Sequence, residues 1–260
     1  MTTKQTNDWA AVCACICQAK KLVVLSGAGI SAESGIPTFR DALTGLWENF
    51  DAMDLATPEA FQRDKALVWG WYEWRRMKVL LSQPNPAHRA LVQLEEYVPE
   101  LTLVTQNVDD LHERAGSQNV LHLHGSLHAP RCFACNRPTD YPEGIPEEPE
   151  GGRRIQPPCC IHCGGDIRPG VVWFGEGLPD SEWRAAEQAA RTCDVLLSIG
   201  TSGLVYPAAA LPSIAKASGA TVVVINPNVT DQDQQATYCL RGAAGEVLPA
   251  LVDNVVVRDD

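Results

Sequence analysis

The segment VVLSGAGISA, residues 23–32, constrains the fold more than any other stretch of the chain. A run of strand character passes without a break into Gly27, Ala28, Gly29, Ile30, Ser31 and Ala32, which fits the dinucleotide fingerprint with Ala at its last position. Such a turn joins a strand to a helix, lets a pyrophosphate approach the backbone at the glycines, and rests it on the helix N-terminus. A hydride-transfer dehydrogenase built on this turn would add a second strand ending in Asp or Glu about 20 residues on. Those positions read DALTGLWENF, which is no strand. The ribose of a bound dinucleotide must then be held elsewhere, and Asn226, after the run TVVVI, is the best candidate.

Short β-branched runs alternate with helix-like segments, the pattern of an α/β, Rossmann-like doubly wound parallel sheet. Strands are predicted at residues 22–26, 101–105, 120–124, 194–199, 221–225 and 254–257, and the N-terminal stretch reads as a first helix. The first five strands end in SGAG, TQNVDD, HGS, GTS and NPN, and in such sheets the ligand crevice lies at the carboxyl ends. Two stretches break the rhythm: residues 41–81, a loop and a helix rich in Trp and Arg, and residues 131–168, rich in Cys, Pro and Gly. Both are assigned to a smaller inserted lobe, leaving 1–40, 82–130 and 169–260 to the main domain.

A net charge of −11 offers no general attraction to a phosphate backbone, so nucleic acid is not an expected partner. It suits lysine-rich protein substrates. No apolar run approaches the roughly 18 residues a membrane-spanning helix needs, and no membrane association is expected. Ten cysteines in a chain without a recognisable leader, four of them in ligand-spaced pairs, suit reducing cytoplasm better than a disulfide framework. Cys132-x₂-Cys135 and Cys160-x₂-Cys163 supply four thiolates for one tetrahedral structural Zn²⁺ per chain. Cys159 is an alternative third ligand; Cys160 preserves the x₂ spacing. Oligomeric state is not legible.

The stretch GAGISAESGIPTFR, residues 27–40, resembles the opening NAD-binding motif of the sirtuins along its whole length. TQNVDDLH (105–112), LHGS (123–126), RPGVVWFGE (168–176), GTSGLVYPAA (200–209) and INPN (225–228) resemble the family's remaining motifs, in family order. The resemblance implies an NAD⁺-dependent protein-lysine deacylase that acts on acyl-lysine proteins and releases nicotinamide and O-acyl-ADP-ribose. Mono-ADP-ribosyl transfer from the same pocket is the alternative.

The resemblance also implies roles. His124 is the general base, a task suited to imidazole, whose unperturbed pKa is about 6.5. Gly27, Ala28, Gly29, Ser31, Ala32, Pro37, Phe39 and Arg40 would contact NAD⁺, with Phe39 shielding the reactive ribose carbon. Gln106, Asn107 and Asp109 would serve the ribose and nicotinamide pocket, and Gly200, Thr201, Ser202, Asn226, Asn228 and Ala244 the rest of the cofactor. Val171, Trp173 and Phe174 would lie in the segment that lines the acyl-lysine tunnel, with a buried core strand the plainer reading of Trp173. Tyr72 and Arg75, three residues apart on one helix face, resemble the pair that binds the acyl carboxylate in succinyl- and malonyl-removing sirtuins, and Ala42 resembles that class too. The plainer reading of Arg75 is an ion pair with Glu73 or Asp64, and the plainer activity is deacetylation.

Overall fold

The computed structural model describes residues 3–37, 52–141 and 144–256. Six parallel strands form the main sheet: β1 (Lys21–Ser26), β2 (Glu100–Thr105), β3 (Val120–His122), β6 (Val195–Ile199), β7 (Thr221–Ile225) and β8 (Tyr238–Leu240). Their spatial order is β3-β2-β1-β6-β7-β8. The order reverses direction between β1 and β6, and that switch point opens a crevice at the strands' carboxyl ends. A separate two-stranded antiparallel sheet pairs β4 (Arg131–Cys132) with β5 (Ile167–Arg168).

Alternation along β1 explains the layers, because successive side chains point to opposite faces. Leu22 and Val24 join the helices α1 (Thr3–Gln18), α5 (Pro86–Tyr97) and α9 (Ala244–Val256) in one core through Val12, Ile16, Leu91, Leu94, Leu248 and Leu251. Val23 and Leu25 join α7 (Asp180–Thr192) and α8 (Leu211–Ala217) in another, through Ala186, Ala190, Leu211 and Ala215. With both faces covered, the central strands read as continuous apolar runs. Among the described residues no helix is long and apolar enough to cross a membrane.

Two expectations are corrected here. Residues 254–256 close helix α9 rather than forming a strand. The run of valines there is β-branched, but Val247, Leu248, Leu251, Val252 and Val255 recur with helical spacing and all are buried. The sixth strand is instead the three-residue β8 at the sheet edge. The fingerprint turn also leads into two short 3₁₀ turns, Ala28–Ile30 and Ala32–Ser34, not into an α-helix.

The remaining elements are α2 (Ala52–Leu55), α3 (Pro58–Arg63), α4 (Lys65–Leu81), the Cys-rich segment around β4 and β5, and the short α6 (Leu111–Ala115) after β2. Thr57 caps α3 by accepting from Ala60 N at 3.0 Å, and Asp64 caps α4 by accepting from Leu67 N at 3.1 Å. Helix α4 carries Val68, Trp71, Tyr72 and Trp74 into a core with Phe61, Leu111, Leu127, Val171 and Trp173. At Gly70 the helix is crossed by the later segment: an added Cβ would stand 1.9 Å from Arg153 O.

Candidate active site

The crevice floor is a backbone interlock. Gly27 N donates to Ile199 O at 2.9 Å and Gly29 N to Gly200 O at 2.8 Å, so the turns after β1 and β6 lock together. A Cβ on Gly29 would lie 2.7 Å from Gly200 O, and one on Gly200, at φ +61°, would lie 2.5 Å from Ile30 N. These glycines are therefore required by each other's close approach, a constraint additional to the pyrophosphate contact expected of Gly27 and Gly29. In the turns that follow β1 and β6, Ala28, Ala32 and Ser202 are exposed and Pro37 is half-buried.

Gln106 joins three strand ends. Its N–H donates to Ser26 O at 3.0 Å, its side-chain Nε2 to Thr201 Oγ1 at 2.9 Å, and its carbonyl accepts from His124 Nδ1 at 3.0 Å. A carbonyl can only accept, so Nδ1 carries the ring proton and Nε2 is left as the basic nitrogen. Burial lowers the His124 pKa, and the bond to Gln106 offsets part of that. The ring is therefore neutral at pH 7, as a proton acceptor must be. His124 stands two residues past the end of β3, and its own carbonyl accepts from Val172 N at 2.8 Å. Gly125, at φ +71°, bridges antiparallel to Val171, and a Cβ there would stand 2.2 Å from Gly170 O. Glycine follows the histidine because the 170–172 segment presses on it.

Beside Gln106, Asn107 Nδ2 donates to Ser31 Oγ at 3.1 Å, and that hydroxyl donates to Asp109 Oδ2, also at 3.1 Å. All three are buried, and burial raises the Asp109 pKa. Deeper still, Ser26 donates to Thr105 Oγ1 at 2.8 Å, Asn107 N donates to the same oxygen at 3.0 Å, and His112 Nε2 meets Ser26 Oγ at 2.9 Å. On the far side of the switch point, Asn226 Nδ2 donates to Thr201 O at 3.1 Å while its Oδ1 accepts from Asn228 N at 3.1 Å. Asn226 thus braces the loops after β6 and β7. Ala244 is buried where α9 begins, and the next residue, Gly245, donates its N–H to Glu33 Oε2 at 2.6 Å.

In the small lobe the Sγ atoms of Cys132, Cys135, Cys160 and Cys163 lie within 4.8 Å of one another. The 132–163 and 135–160 separations are 3.5 and 3.8 Å. Zn–S bonds of about 2.3 Å in a tetrahedron set sulfurs about 3.8 Å apart, so the donor set fits zinc. Cys159 is exposed, pairs through its backbone with Asp166, and stands outside the cluster. Tyr72 is buried, and Arg75 packs its guanidinium 4.9 Å from the Trp71 ring centre. Glu73 forms a two-pronged bond to Arg76 at 3.1 and 3.0 Å, and Asp64 pairs with Arg154. Val171 is buried in the α4 core, whereas Phe174 is exposed. Phe39, Arg40 and Ala42 lie outside the described residues.

The family model described as Sir2 family matches residues 27–207, from the glycine interlock through the loop after β6. The chain belongs to the Sir2 family. It is 62% identical over 234 residues to an NAD-dependent protein deacylase of Methylococcus capsulatus, covering 90% of this chain and 92% of that protein. It is 61% identical to NAD-dependent protein deacylase 1 of Pseudomonas aeruginosa, with 90% and 94% covered. A crystal structure of a Sir2 homologue–NAD complex superposes with a TM-score of 0.89 at 47% identity, covering 96% of this chain and 95% of that one. The structure of Sir2Af2 bound to a myristoylated histone peptide gives 0.78 at 34%, covering 98% and 99%.

Several groups that shape this Sir2 site were not singled out in the sequence. Thr105, Ser26 and His112 lie behind Asn107, and the spacing of TQNVDDLH was the only local signal for them. Arg168, buried, and Glu176, half-buried, at either end of RPGVVWFGE, form an ion pair around Trp173. Asn85, the cap of α5, reaches back to Ile30 O at 2.7 Å and Ser34 Oγ at 3.0 Å, tying the fingerprint turn to the helix layer.

Proposed function

We propose that this Sir2 protein is an NAD⁺-dependent protein-lysine deacylase that prefers succinyl and malonyl groups to acetyl, with His124 as its general base. One observation carries the reading: His124 presents an unprotonated Nε2 at the carboxyl edge of the sheet, held by a bond from Nδ1 to Gln106. NAD⁺, when bound, supplies an electrophilic ribose carbon and nicotinamide as leaving group. Buried Asn107 and Asp109, cross-linked through Ser31, offer an amide and a carboxyl group that match a carboxamide and would orient it for departure. His124 Nε2 takes a proton from a ribose hydroxyl. Phe39 would shield the reactive ribose carbon from water, and Arg40 would help to position the cofactor. The interlocked glycines, with Thr201, Asn226 and Ala244, would carry the rest of the dinucleotide.

Acyl preference rests on Tyr72 and Arg75. A guanidinium gives a carboxylate a charge-assisted, two-pronged bond and gains nothing from an acetyl methyl. The acidic chain suits lysine-bearing partners, and a Cys₄ zinc site suits the reducing cytoplasm. The working division into lobes keeps 41–81 with 131–168.

Incubation with NAD⁺ and succinyl-, malonyl- or acetyl-lysine peptides tests the proposal. Release of O-acyl-ADP-ribose, faster from the two acidic acyl groups, is the expected result. Faster turnover of acetyl peptide would make the chain mainly a deacetylase. Transfer of label from NAD⁺ to protein without deacylation would replace the reading by ADP-ribosyl transfer.

A further inference from the structure

The Tyr72 hydroxyl has a partner from beyond the small lobe, just inside the main domain's last stretch. Trp173 Nε1 lies 3.1 Å from its oxygen, buried, across 101 residues of sequence. An indole N–H can only donate, so the phenol oxygen is the acceptor and the phenol proton must point away from Trp173. Among the described residues no acceptor for that proton stands within hydrogen-bond reach. Burial drives the Tyr72 pKa up to about 12, so the proton stays on the oxygen at neutral pH.

Trp173 is itself held from two sides. The Arg168 guanidinium stacks 3.5 Å from its ring centre and donates to Val171 O at 2.9 Å. Glu176 grips that guanidinium with both oxygens, and its Oε2 also accepts the Trp173 backbone N–H at 2.8 Å. Ring plane and backbone are thus fixed by one carboxylate, and the indole N–H is aimed by the same clamp.

We propose that Trp173 is a positioning residue for acyl selectivity: its N–H occupies the Tyr72 oxygen and leaves the phenol with only a donor to offer an incoming acyl group. The inference rests on the reading of Tyr72 and Arg75 as the carboxylate-binding pair. A pocket whose phenol can only donate favours an anionic acceptor. With the indole N–H gone, the phenol can rotate and accept as well as donate, and that bias weakens.

The test replaces Trp173 by β-(3-benzothienyl)alanine, which keeps the fused ring and removes the N–H, and separately by phenylalanine. Selectivity is read as the ratio of kcat/KM on succinyl- and acetyl-lysine peptides. Both replacements are expected to lower the ratio about tenfold, mainly by raising KM for the succinyl peptide, as loss of a correctly aimed donor to a charged group does. On a Tyr72→Phe background neither should lower it further. A ratio unchanged by the benzothienyl side chain, or an equal drop on both backgrounds, overturns the inference. Arg75→Met separates the two failures: if it lowers the ratio while the Trp173 changes do not, only the role of Trp173 falls. If Arg75→Met also leaves the ratio unaltered, the carboxylate reading falls, and the inference with it.

Discussion

The parallel sheet and the small lobe are held together by different materials. In the sheet, aliphatic side chains fill both faces and the chemistry-bearing loops are fastened backbone to backbone, as at Gly27, Gly29 and Gly200. In the lobe, packing rests on a few large rings, Phe61, Trp71 and Tyr72, with Trp173 of the main domain against them, and on four thiolates that need an ion. The difference separates two jobs. The base proposed here, His124, is held through its Nδ1 by Gln106, which is itself bonded to the ends of two other strands at Ser26 and Thr201. The proposed acyl-reading pair, Tyr72 and Arg75, sits on a helix, where one substitution would alter a preference without disturbing the sheet.

The sharpest break in this comparison is removal of the metal. Structural zinc contributes about 10 kcal/mol to the folding of small Cys modules. Chelation, or Cys163→Ser, should reduce zinc from one per chain to none and strip hydrogen-exchange protection from α4 and residues 131–168, while β1, β2 and β6 stay protected. Equal loss of protection in both regions would show that they fold as one unit.

His124→Ala should lower kcat about 10²- to 10⁴-fold, the range for a lost general base, with the melting temperature held and NAD⁺ still bound. A fall in Tm of many degrees would make the ring a structural member of the sheet edge.

The helix layer beneath the sheet should respond to acid. Burial holds His88 down at about 4, against an ordinary value of 6.5, and pushes His112, whose ring lies 4.9 Å away, in the same direction. Above pH 6.5 both folded and unfolded chains are neutral at His88, and its contribution is complete. As pH falls from 6.5 toward 4 the unfolded chain takes up the proton first, and roughly 3 kcal/mol is lost. Urea midpoints between pH 7.5 and 4.5 should fall, and His88→Gln should flatten the slope; an unchanged slope would remove His88 from the account.

The smallest expected effect is the most selective. Arg75→Met should lower desuccinylation about tenfold more than deacetylation, the worth of one charge-assisted contact. Equal losses would assign Arg75 to the stability of the lobe.

What was legible in the sequence follows the same division. Five strands were readable because each is a β-branched run stopped by Gly or polar residues, and their carboxyl ends do converge. Residues 254–256 misled because valine favours strands locally, whereas their burial along α9 is a tertiary fact. The three residues of β8 are too few to show alternation. The glycines were legible as a turn but not as an interlock, since the obstacle to Gly29 is Gly200, far along the chain. Tyr72 and Arg75 could be paired because helical spacing is local. The Trp173 bond to Tyr72 could not, because nothing within a few residues of either predicts it.

The crossing at Gly70 carries a consequence for the order of synthesis. Helix α4 is complete once Leu81 has been made, but the carbonyl of Arg153 that lies against Gly70 belongs to chain translated roughly 70 residues later. In the interval the apolar side chains around Trp69, Trp71 and Trp74 lack their final cover. Cover for that face of α4 arrives only with the later segment, in which Tyr141 and Ile155 pack against Trp69.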